Sequence, residues 1–173
     1  MITYNPAFDL YHCIFRMAHI LQKIKDDDCF EVDKVRIWDF YLLFPSKAYD
    51  IHIKRTETEI CEKRKEYINK SKNPYEYSGD NRKLFEWIRP FQVAALNCLV
   101  SCSILDKDDY LNNKVRIINH DALDTFVEKS GKVTTEETNA LSFMGYLSRT
   151  MPLTGAYGLK ARTELLEYKY DAE

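Results

Sequence analysis

The chain has 173 residues, of which 45% are hydrophobic and 30% charged, with a formal net charge of −2. This composition excludes a disordered chain and suffices for one good core or two small subdomains. Only residues 52–89 carry an excess of basic side chains and the isoelectric point is about 6.1, which argues against a free-standing nucleic-acid binder.

Twelve Tyr and nine Phe suit a packed core or a protein–protein interface. The five cysteines, Cys13, Cys29, Cys61, Cys98 and Cys102, are odd in number and lack a CxxC pair. They read as reduced thiols rather than disulfides or zinc ligands. Asn5-Pro6 and Asp9 interrupt any secretory leader, and no apolar run reaches spanning length. The expectation is a cytoplasmic protein with no membrane segment.

In chain order, Asn5-Pro6 reads as a cap followed by a first-turn proline. A helix then runs to about Lys25, with Tyr11, Ile14, Ala18 and Leu21 on one stripe and Leu10, Met17 and Ile24 widening it. Asp26-Asp27-Asp28 reads as a solvated turn. Residues 33–44 form the central helix, capped by Asp33 and stopped by Pro45. Val35, Trp38 and Leu42 share one face, and Ile37, Tyr41 and Phe44 another. A helix apolar on more than one face is wrapped by its own domain.

Lys47–Lys54 fits a strand or a helical turn. Thr56–Asn69 reads as an exposed helix in which Glu59, Glu62 and Glu66 offset Lys63-Arg64-Lys65. Ser71–Asp80 is a loop by composition and the expected boundary between an N-terminal half, 1–70, and a C-terminal half, 81–173. Arg82–Ile88 is a short amphipathic segment, and Pro90 starts a new helix to about Leu105. A β-hairpin is expected across 110–119, turning at Asn112-Asn113. His120–Lys129 is helical, and Thr134 to Glu137 spells a capping box for a helix to about Arg149. A glycine-flanked loop, Gly155–Gly158, precedes a last helix over Leu159–Lys169. The fold class is mainly α with a small β-hairpin, winged-helix-like, as a single or tandem unit.

The chain carries no nucleotide-binding glycine loop and no GxSxG. His12 and His19 lack metal-ligand spacing. Sequence reading therefore supplies no catalytic, cofactor-binding or metal-ligating residue. Lys160, Arg162, Tyr168 and Tyr170 read as surface for a partner, because Tyr and Arg are favoured interface anchors. Intramolecular packing of the last helix is the alternative for them. Phe15, Trp38, Phe40 and Phe44 read as core.

Three motifs stand in order: Tyr11-His12-x-x-Phe15-Arg16; Ile37-x-Asp39-Phe40-Tyr41-Leu42-Leu43-Phe44-Pro45; and Gly158-Leu159-Lys160-x-Arg162-Thr163 followed by Glu167-Tyr168-x-Tyr170-Asp171. Together they resemble a middle-component family of the ABC-three-component systems, bacterial defence operons that include Lamassu. The resemblance leaves residues 54–80 unmatched. It implies a non-catalytic adaptor between an SMC-like coiled-coil ATPase, which senses DNA, and an effector, often a nuclease. It supplies no catalytic residues to carry over; no cofactor and no small-molecule substrate are expected, and contact with DNA is expected to be indirect or weak.

Two other readings compete. A winged-helix DNA-binding regulator would use Lys54, Arg55, Lys63, Arg64, Arg82, Lys83, Lys114 and Arg116. A small enzyme would use His12, His19 or one of the thiols.

Overall fold

A computed structural model describes residues 5–24, 29–71 and 79–167. Its helices are α1 (Leu10–Ile24), α2 (Val32–Leu43), α3 (Thr58–Tyr67), α4 (Asn81–Ser101), α5 (Lys107–Leu111), α6 (His120–Ser130), α7 (Thr135–Thr150) and α8 (Leu159–Thr163). Two short strands, β1 (Phe30–Glu31) and β2 (Lys114–Val115), pair antiparallel. The protein is thus mainly helical with one small β element, as the periodicity indicates.

The chain divides into two compact units that interleave in sequence. One comprises Met1–Asp39 and Glu86–Lys132; the other comprises Phe40–Phe85 and Val133–Glu173. The division falls inside α2 and inside α4. Sequence reading put a boundary at 71–80, and residues 72–78 of that loop lie outside the described residues, as does the acidic turn at 26–28.

In the first unit, Asn5 Oδ1 accepts from Ala7 N and Asp9 Oδ1 from His12 N, so short polar side chains satisfy the opening amides. Helix α1 packs on α6. Cys13, Met17, Leu21, Val35, Trp38, Leu96 and Leu123 form much of the core. Each large apolar side chain buried there contributes about 1.5–3 kcal/mol. Tyr11, expected on the apolar stripe, is instead 82% exposed. The buried face of α1 is centred on Cys13, Met17, Ile20 and Ile24, rotated away from it.

In the second unit, α3 packs on α7 through a single buried position of its own, Ile60. The thin apolar face of α3 is as its charged sequence implies. Pro45–Asp50 forms a 3-10 turn, and residues 52–54 follow without regular secondary structure. Phe40, Tyr41, Phe85, Phe143, Met144 and Leu147 form its core. Thr134 caps α7 in a full capping box with Glu137.

Residues 35–42 of α2 are all buried, including Arg36 and Asp39. The central helix is enclosed on every side, as its two apolar faces require.

Three expectations are corrected. Residues 110–119 do not form a hairpin. Asp106 Oδ1 accepts from Asp109 N and caps α5, so Tyr110 and Leu111 end a helix. Asn113, at φ 58, then turns the chain so that β2 pairs with β1, Phe30 opposite Val115. Second, Pro90 starts no helix, because α4 runs through it. Buried Leu84, Phe85, Ile88, Gln92, Ala95, Leu96 and Leu99 keep one helical register across the proline, whose own side is exposed. That continuous burial outweighs the hydrogen bond a proline removes. Third, the last helix stops at Thr163, because Glu164 takes a left-handed conformation at φ 53.

Candidate functional site

Arg16 lies in the interior of the first unit, 1% exposed, opposite Asp39 at 0%. Its Nε donates to Asp39 Oδ1 at 2.6 Å and its Nη2 to Oδ2 at 3.3 Å. Nη1 donates to Pro6 O at 3.2 Å and meets His12 Nδ1 at 2.7 Å. A guanidinium only donates, so Nδ1 of His12 accepts and the ring proton sits on Nε2.

Gln92 on α4 completes the network. Its Oε1 accepts from Arg36 Nε at 3.0 Å, and its Nε2 donates to Asp39 Oδ2 at 2.9 Å and to Arg36 O at 3.1 Å. Arg36 Nη1 reaches Asp33 Oδ1 at 3.0 Å. Burial pulls the Arg36 pKa down and the Asp33 carboxylate opposes it. The network ties α1, α2 and α4 with charges that face one another rather than a cleft. Beside it, the Cys13 thiol is pushed well above its ordinary range, first by burial and then by Asp39. Its thiolate is strongly disfavoured. His19 is 7% exposed, with its ring edge-on to Phe15 at 4.5 Å.

A second arginine cluster organises the other unit. Arg162 on α8 is 7% exposed. Nε donates to Tyr157 O at 2.6 Å, Nη1 to His52 O at 3.1 Å, and Nη1 and Nη2 to the two Glu57 oxygens at 2.8 and 2.6 Å. The backbone adds His52 N to Arg162 O at 2.9 Å. The Arg162 hydrogen bonds hold the Glu57 carboxyl below the usual glutamate range. Gly158 is required just before α8, because a Cβ there would lie 2.2 Å from Thr154 O.

The cluster frames an open cleft of about 270 Å³. Ile53, Ala156 and Ala161 line it with Tyr157, and His52 and Lys54 flank it. Lys54 Nζ sits 3.1 Å from the Tyr157 ring centroid.

The residues expected at a partner surface therefore separate. Arg162 is buried inside the unit and paired with Glu57, the intramolecular packing that stood as the alternative to a partner surface. Lys160 is half-buried on the same short helix. Tyr168 and Tyr170 lie outside the described residues. The residues expected to touch DNA are divided between the units. Lys114 and Arg116 belong to the first, and Lys54, Arg55, Lys63, Arg64, Arg82 and Lys83 to the second. Arg116 Nε meets Asp109 Oδ2 at 2.5 Å, and Arg82 Nη2 meets Glu167 at 3.0 Å. Arg64 points Nη1 at three backbone carbonyls, those of Ala48, Tyr49 and Ile51. Lys63 Nζ lies 5.0 Å from the Tyr146 centroid, while Arg55 and Lys83 are exposed.

Among the described residues, no group of three or more His, Cys, Asp or Glu side chains converges to hold a metal ion. The five cysteines are free thiols. No helix among the described residues is long and apolar enough to cross a membrane.

Sequence reading missed the Arg16–Asp39–Gln92 network and the Glu57–Arg162 pair as structural units. The available signal was Asp39 in an otherwise apolar motif, with Arg16 and Arg162 in the motifs on either side. The chain belongs to the family described as ABC-three component (ABC-3C) system Middle Component 5, whose model matches residues 2–171. No curated protein and no solved structure matches the chain.

Proposed function

We propose that this middle component is a non-catalytic, cytoplasmic adaptor that bridges an SMC-like coiled-coil ATPase and an effector in a defence complex against phage or plasmids. Membership in the Middle Component 5 family is the observation that carries the reading. The internal economy of charge supports it. Two buried arginines, Arg16 and Arg162, direct their donors to Asp39, Glu57 and backbone carbonyls. Such networks fix shape, and the neighbouring thiol of Cys13 is held in its unreactive form.

Pairwise purification tests this. The tagged chain is expected to retain the ATPase in one experiment and the effector in another. A chain that retains neither, and stays monomeric with both present, ends the reading.

A further inference from the structure

The cleft beside Arg162 has three properties that together specify an occupant. First, it is built rather than incidental. Arg162 bonds the backbone carbonyls of both His52 and Tyr157, so one buried guanidinium holds the two walls at a fixed separation. Second, its floor is apolar, from Ile53, Ala156 and Ala161, and its size of about 270 Å³ suits one large side chain rather than a cofactor. Tyr157, 60% exposed, offers an aromatic wall, one face of which carries the Lys54 ammonium. Third, its rim carries a cation. Lys54 is exposed, while Glu57 is paired with Arg162 and Glu164 lies 3.5 Å from His52 Nε2.

We propose that this cleft docks a short acidic segment of a partner protein, inserting one aromatic side chain on the apolar floor with a flanking carboxylate meeting Lys54. Charge complementarity selects the occupant: an anion is attracted to the rim, and a cation is repelled from it. A buried aromatic anchor ringed by polar contacts is the usual form of an interface hot spot. A nucleic-acid strand suits the cleft less well. It requires a continuing row of cations along its backbone, and Arg64 and Arg82 in this unit are turned to carbonyls and to Glu167. The inference rests on the adaptor reading only for the source of the segment.

The test titrates the isotopically labelled full chain by NMR with three pentapeptides and a short oligothymidylate. One peptide has a central tryptophan between acidic residues; the second replaces the tryptophan with alanine; the third replaces the acidic residues with lysine. The acidic tryptophan peptide is expected to shift amides at Ile53, Lys54 and Ala156–Ala161, and to bind at least about tenfold more tightly than either control peptide or the oligothymidylate. Ala161→Leu, which fills the floor, and Lys54→Glu, at an exposed position, are each expected to weaken it by about tenfold. Equal binding of the three peptides, shifts centred elsewhere, indifference to both substitutions, or tighter binding of the oligothymidylate overturns the proposal. The titration reads the cleft alone, so its failure is distinct from a failure to retain the ATPase or the effector.

Discussion

Arg16 and Asp39, 23 residues apart in sequence, form a two-pronged ion pair in which neither side chain is more than 1% exposed. Removing one partner of such a pair strands a charge in the interior. Asp39→Ala is expected to cost about 3–5 kcal/mol, and Arg16→Met a similar amount. The double variant Arg16→Met/Asp39→Leu is expected to cost much less than the sum of the two, because it strands nothing. Urea unfolding of the three variants measures this. Additive losses would show that the pair does not act as a unit.

Gln92 is oriented by its neighbours, with its oxygen toward an obligate donor on Arg36 and its nitrogen toward Asp39 and a carbonyl. Gln92→Glu sets a second carboxylate oxygen against Asp39. Two carboxylates that close share one proton, which raises an apparent pKa. The introduced group therefore costs stability at neutral pH, and the cost shrinks as pH falls and the shared proton binds. Thermal unfolding from pH 7 to about pH 5 is expected to show the variant gaining on the parent. A constant gap would contradict the geometry.

Glu57 is held below the ordinary glutamate pKa of 4.5 chiefly by its hydrogen bonds from Arg162. A lowered carboxylate pKa stabilises the folded state fully above the unfolded value. That contribution is lost as pH falls through the lower, folded value. Glu57→Gln is expected to unfold more readily near pH 7 and to have a shallower acid limb below about pH 4.5. Parallel acid limbs for variant and parent would remove Glu57 from the account.

Gly158 has an ordinary φ of −75, so its requirement is space and not backbone freedom. A Cβ would meet Thr154 O at 2.2 Å and Leu153 O at 2.7 Å, both main-chain atoms that cannot swing aside. Gly158→Ala is expected to cost about 1–3 kcal/mol and to disturb amides from Leu153 to Arg162. An unchanged melting temperature with unchanged spectra would contradict this placement.

What the sequence disclosed and what it withheld follow from the range of the interactions. Helix α2 was legible because its apolar residues recur on two faces, and eight successive positions, 35–42, are buried. The capping box at Thr134 and Glu137 was legible because it spans three residues. The pairing of β1 with β2 was not, because Phe30 and Val115 are brought together by tertiary packing. Pro90 misled for the same reason: a local helix-breaking preference yielded to a buried register that continues past it. At the cleft, the sequence left Arg162 open between partner surface and intramolecular packing, because charge alone says nothing of a partner 105 residues away. The family that the motifs resemble is the one whose model matches, but the roles of their residues required the distances.

The bridging claim is tested most directly by immobilising the ATPase and measuring how much effector it retains with and without this chain. The account predicts that the effector is retained only when the chain is present, in a stable three-component complex. Effector retained equally without the chain, or lost even when the chain is bound to the ATPase, would contradict it.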